Sequence, residues 1–318
     1  MKQQQFEAEY SSFWRAMEGS LEHLERRASG TPDIAPEHFP AACRRLAHHL
    51  ALARQRGYSP ALLRHLNELM LRAHRQLYRR PPAVGDRVRG LLLDDFPRAV
   101  RVQWRWHLAA TACLALSALL LFLLILDRPE MVHAVLDDQT LAEMEQMYDR
   151  PQTARTGEDD LLMFGFYIHN NIGIAFRTFA GGLLLGVGAL FIMLVNGGFL
   201  GAVSAHMVHI EATEAFFTFV VAHAAPELVA ICLAGGAGLQ LGAAIVAPGR
   251  HARLHALRGA ARRTLPVIAG VVVLLVLAAF IEAFWSPRPL AAEIKYAAGA
   301  LCWFVVISFL LLGGRRAH

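Results

Sequence analysis

Apolar residues in this chain recur in two rhythms, one of three- and four-residue steps near the N-terminus and one of long unbroken runs after residue 107. Trp14, Met17, Leu21 and Leu24 follow the first rhythm, as do Phe39, Cys43, Leu46 and Leu50, and then Leu62 or Leu63, Leu66, Met70, Ala73 and Leu77. Each series marks one face of an amphipathic helix. Residues 1–82 therefore read as a bundle of three helices, broken at Ser29-Gly30-Thr31-Pro32, at Gly57 with Ser59-Pro60, and at Pro81-Pro82. Its histidines, His48, His49, His65 and His74, are scattered among arginines and read as packing or solvated residues.

His107 to Leu126 carries no charge after its histidine, and about 20 apolar residues match a hydrocarbon core of about 30 Å. Leu265 to Trp285 and Ala297 to Leu312 are two further spans, joined at Ser286-Pro287-Arg288-Pro289. The stretch 83–106 mixes Arg98, Arg101 and Arg105 with Trp104 and Trp106, the composition of a headgroup zone, and predicts an interfacial elbow helix. An ordinary fourth helix of the bundle is the competing reading. Residues 127–160 form an acidic external loop, helical near Thr140 to Tyr148; no calcium-loop spacing occurs in it. The fold expected is all-α: a polytopic membrane domain, 107–312, of five or six spans, an N-terminal helical domain and a short tail, 313–318.

Between Asp160 and Arg250 the chain must cross an odd number of times, because basic residues flank the cytoplasmic ends. Three crossings, Leu161 to Arg177, Ala180 to His206 and Pro226 to Val246, give six spans. A single crossing, Ala180 to Ala205, leaves His169-Asn170-Asn171 on an interfacial helix and Ala215 to Val246 as a re-entrant hairpin. Both termini are placed in the cytoplasm, and the protein in a bacterial inner membrane.

The block Ile168 to Gly249 concentrates the chemistry. Asn170, Asn171, Arg177, Asn196, His223 and Glu227 interrupt hydrocarbon-length runs, and polar groups there normally face a neighbouring helix or a cavity. Pro226 predicts a helix start at Ala224-Ala225-Pro226, so that His223 and Glu227 meet across a break, with Arg177 as partner to Glu227. Gly182, Gly186, Gly197, Gly201, Gly235 and Gly242 are read as helix-packing positions.

Composition agrees with a membrane protein: 318 residues are 55% hydrophobic, with mean hydropathy +0.36. The net charge of +5 and pI near 9.3 reflect arginines beside the spans, so no nucleic-acid partner is expected. Cys43, Cys113, Cys232 and Cys302 lack CxxC spacing and read as free thiols, and no cleavable signal peptide is evident at the N-terminus. HExxH is absent, and Ser204 lacks a GxSxG context; His206 and His209 beside Glu211 and Glu214 read as a wet loop. No catalytic residue, metal or cofactor is expected.

The run Asn170-Asn171, Ala175-Phe176, Phe179, Gly182, Gly186, then Asn196-Gly197, Gly201, His223-Ala224-Ala225-Pro226-Glu227-Leu228 and Gly235-Gly236 to Gly242 resembles the stage II sporulation protein M family. The helical N-terminal part is similar to that of its longer, non-sporulating members. Ala224 stands where the family pattern usually has glycine. The resemblance implies a multi-span membrane protein without established enzymatic activity, and an envelope system that commonly includes an AAA-type ATPase.

Three functions are weighed. An inner-membrane scaffold that organises envelope proteins comes first, and a transporter or channel-like permease for a lipid or small solute second. An intramembrane metalloenzyme comes third. A midplane cavity lined by the polar residues favours transport; a dry core with every polar group paired favours the scaffold. Glycine-rich faces make a homodimer the default assembly.

Overall fold

The computed structural model describes residues 1–26, 32–78, 83–149 and 156–315, and among these the ordered elements are helical without strands. Two compact units divide at Met1–Ala83 and Val84–His318.

The first unit contains α1 (Gln3–Arg26), α2 (Phe39–Gln55) and α3 (Pro60–Leu77). The faces read from the periodicity supply its core: Trp14, Met17, Leu21, Cys43, Leu46, Leu66 and Ala73 are buried, joined by Phe6 and Leu69. Ser59 caps α3 through the Leu62 amide, and Gly57, at φ +61°, ends α2 in the left-handed conformation. The expected breaks at residues 29–31 and 81–82 lie outside the described residues.

His49 is buried in this core, its Nδ1 accepting a 3.1 Å hydrogen bond from Trp14 Nε1 among the rings of Phe6, Tyr10 and Phe13. Burial, with Arg45 and His48 adding to it, lowers its pKa to about 4. An unfolded histidine titrates near 6.5, so between pH 6.5 and about 4 the unfolded chain binds the extra proton and stability falls as pH falls. Acidification from pH 7 to 4.5 is expected to cost this unit about 1–2 kcal/mol after screening. The His49→Phe variant should lose that dependence in a chemical-denaturation series followed by tryptophan fluorescence; an unchanged slope with pH would show that other groups carry it.

The second unit begins with the elbow, α4 (Val84–Gly90), a wide π turn over Leu91–Asp95 and α5 (Phe96–Val102). It belongs to the membrane unit and not to the N-terminal bundle, because Phe96 is buried against Gly270, Val267 and Val271. Arg101 donates to the Leu310 carbonyl and Gln103 to that of Arg263, which tie the elbow to the last turn of one later helix and to another about three turns from its start.

Among the described residues, five helices are long and apolar enough to cross a membrane: α6 (Trp104–Asp127), α9 (Val187–His209), α10 (Thr213–Val246), the run Arg253–Trp285 and α12 (Ala292–Leu312). Arg253–Trp285 comprises α11 (Arg253–Phe280) and a π turn, Ile281–Trp285. Helix α10 lies at the centre, with 67% of its apolar window buried, whereas α6 and α12 turn Leu116, Leu120, Leu301 and Phe304 outward. Before α9 come the acidic-loop helix α7 (Asp138–Asp149) and α8 (Gly157–Gly181), which carries three acidic residues in its first turn.

Helices α6 and α9 run parallel: Leu114 and Ser117 face Gly197, Ala118 faces Gly201, and the Ile125 carbonyl meets His209 Nε2 at 3.0 Å. A parallel pair requires the chain to return to its starting side between them. Helix α8 makes that return, from Asp160 beside Arg288 to Gly182 against Gly238. Its 25 residues reach about 37 Å, so it traverses the bundle as a sixth helix despite its lower apolarity. The re-entrant hairpin over Ala215 to Val246 is therefore corrected to one continuous helix, α10, that begins at Thr213.

Candidate functional site

The expected helix start at Ala224-Ala225-Pro226 does not occur; Pro226 sits inside α10. Proline removes only the amide that would have bonded the Ala222 carbonyl, and the close packing around this buried segment keeps the helix whole. His223 and Glu227 consequently lie on one face of an unbroken helix, with Nε2 4.0 Å from a Glu227 carboxylate oxygen. No break separates them.

That face borders a cavity of about 240 Å³, walled by Ile174, Phe199, Val203, Val220 and Ile231. Asn170 and Asn171 reach it from α8, Asn196 from α9, and His223 with Glu227 from α10. Asn170 donates through Nδ2 to Asn171 Oδ1 at 2.9 Å, and Asn196 donates to the Ile192 carbonyl at 2.8 Å. Five of the six polar residues picked out by the sequence thus converge.

Arg177 is the sixth and does not join them. It is exposed, with Nε donating to the Gly173 carbonyl one turn back, so the proposed pairing with Glu227 is corrected. Seven residues beyond Asn170, it lies on the same stripe of α8 but two turns further along, past the cavity lining; a long arginine can remain there with its head group in a polar zone. His169 is also exposed.

Glu282 completes the cavity and was not foreseen. It is the one charged residue of the apolar run Leu265 to Trp285, which is the same signal that singled out Glu227. The π turn that holds it widens the helix end, a distortion common at functional positions. One ligand atom each from His223, Glu227 and Glu282 lies within 4.8 Å of the other two. Carboxylates this close, among mostly apolar walls, repel one another unless a proton or cation lies between them.

The histidine ring is fixed from behind. Its Nδ1 lies 3.1 Å from Ser286 Oγ, and the Ser286 carbonyl accepts from buried Lys295 Nζ at 2.9 Å. A hydroxyl partner on Nδ1 leaves Nε2 directed at the carboxylates, and the Phe219 ring packs edge-on at 5.5 Å.

A larger hollow, about 760 Å³, is a separate and more open depression beside the α7 end of the bundle, bordered by Glu145, Glu211 and Glu214. It adjoins the cavity through α7 and the first turns of α10, since Met144 and Phe216 line the cavity while Glu145 and Thr218 line the depression. Helix α7 is fastened there by Glu145 to His206 Nε2 at 2.9 Å. His206 and His209, read from the sequence as part of a wet loop, bond to Glu145 and to the Ile125 carbonyl. The turn between α9 and α10 places Glu211 at φ +60°, a conformation that favours glycine.

Further along the bundle from this site, glycines bring backbones together. Gly182 meets Gly238, Gly186 meets Gly242, and Gly235 meets Met193 and Ala110. Gly186, at φ +86°, also makes the tight turn from α8 into α9.

A bundle of apolar helices around a buried polar cavity defines the protein as a polytopic α-helical membrane protein. The model of the family Stage II sporulation protein M matches residues 109–287, more than half of the chain. The chain belongs to the Stage II sporulation protein M family. Residues 4–79 match a second family, a domain of unknown function, DUF8413. Neither a curated protein nor a solved structure matches the chain significantly.

Proposed function

We propose that the protein is a permease-like member of its family, whose substrate site is the cavity between α8, α9, α10 and the end of α11. The observation that carries this reading is the convergence of Asn170, Asn171, Asn196, His223, Glu227 and Glu282 on one cavity. A scaffold has no need to gather such groups on a cavity; here two carboxylates and an imidazole come together on one. A volume near 240 Å³ is smaller than the roughly 300–1,000 Å³ of a drug-sized pocket, so an ion or a small polar solute fits and a lipid does not.

The first unit, with its own core, supports a docking role for envelope partners beside this activity. Envelope proteins and an AAA-type ATPase remain the partners to seek, and a homodimer the assembly to test.

Water access decides between the readings. In a background lacking the four native cysteines, Val203→Cys on the cavity wall should react with a small hydrophilic thiol reagent, and Ala278→Cys in the buried core of α11 should not. Equal protection of both positions in membranes would return the site to a packed scaffold.

A further inference from the structure

We infer that His223, Glu227 and Glu282 bind a divalent first-row metal cation, which the acidic depression at the α7 end admits to the cavity. The inference rests on the cavity being a substrate site and names its substrate class.

The ligand atoms fit such an ion. One imidazole and two carboxylates form a mixed nitrogen and oxygen set suited to zinc, manganese or iron(II). The three atoms stand within 4.8 Å of one another. Metal bonds of about 2.0–2.2 Å place ligand atoms roughly 3–4 Å apart, so small rotations of the two glutamates close the set. His223 already has the support that ligating histidines need: Ser286 Oγ holds Nδ1, so that Nε2 is the free ligand atom. The three ligands come from the middle of α10 and the end of α11, on an unbroken helix and a π turn, which fix their spacing.

The surroundings select a cation. No lysine or arginine lines the cavity among the described residues, while three asparagines add further amide oxygens. Lys295, the cation closest along the hydrogen-bonded chain, donates to the Ser286 carbonyl and so faces the back of the site. Glu145, Glu211 and Glu214 border the adjoining depression, and carboxylates around a low-dielectric mouth concentrate cations at its entrance. His206 is bonded to Glu145 at that rim.

The full chain, purified in detergent and stripped with chelator, would be titrated with ZnCl2 and with MnCl2 by calorimetry, and its metal content measured after dialysis. One equivalent of one of these ions is expected at the site. Glu227→Gln and Glu282→Gln should abolish it, and Ser286→Ala should weaken it about 10–100-fold through the loosened imidazole. X-ray absorption on the wild-type protein needs no variant; it should show imidazole nitrogen with oxygen neighbours and no sulfur. Absence of binding to the wild type, equal binding by the glutamine variants, or sulfur ligation by a cysteine would each overturn the metal site. Val203→Cys labelling separates the two ideas. Labelling without metal binding leaves the permease reading and removes the cation; loss of both removes the site altogether.

Discussion

Gly201→Val is expected to destabilise the membrane unit by about 3 kcal/mol or more, the upper end for overpacking, because the added carbons meet backbone and not a movable side chain. A Cβ at Gly201 would run into the Ala118 carbonyl, and one at Gly197 into Ser117 and the Leu114 carbonyl. Neither helix can retreat alone, since α9 is held at its far end by the bond from His209 to the Ile125 carbonyl. In membranes such contacts replace the hydrophobic drive, which lipid does not supply. Thermal unfolding in detergent would measure the loss, with Leu119→Val on the outward face of α6 as a control expected to change little. A Gly201→Val protein as stable as that control would mean that α6 and α9 do not touch there.

Arg288→Ala is the second large effect. Asp160 is buried at 1% exposure in the first turn of α8, and Arg288 Nη2 is its ion-pair partner. Removing one member of a buried pair leaves a carboxylate without its counter-charge, at a cost of 3–5 kcal/mol in typical cases. Arg288 is itself half exposed, so about 3 kcal/mol is expected. The double variant Asp160→Asn with Arg288→Ala should regain most of the loss, since neither charge is then stranded. If the double variant is no more stable than Arg288→Ala, the carboxylate is not what the arginine stabilises. The pair matters to the site because it joins the start of α8, which carries Asn170 and Asn171, to the turn that carries Ser286.

Much of this was legible before the structure. The three helices of the first unit followed from steps of three and four, and their named apolar faces are its core. The cavity residues followed from one rule, that polar groups in hydrocarbon-length runs face inward, and the rule succeeded for Asn171, Asn196, His223 and Glu227. It said nothing about how far along α8 the cavity extends, and Arg177, two turns beyond Asn170 on the same stripe, was misplaced for that reason. Glu282 obeyed the same rule but stood near a span end, where charge usually means solvent. Pro226 misled because sequence weighs the lost hydrogen bond, whereas the surroundings of α10 decide whether the helix survives it. The elbow was read from its tryptophans and arginines, but its attachment to α11 depends on a Phe96 and Gly270 contact 174 positions apart, as their numbers show, and no local pattern carries that.

The parallel seating of α6 and α9 has a consequence for how the bundle is built. Helix α8, acidic at one end and bearing Arg177 near the other, is the least apolar of the six and gains little from lipid by itself. Its short turn through Gly186 joins it to α9, among the more apolar helices. Joined in this way, the two make a hairpin whose apolar character comes mainly from α9. The asparagine-bearing wall of the cavity therefore depends on its neighbours to be held at membrane depth, and α10 is the helix that covers it.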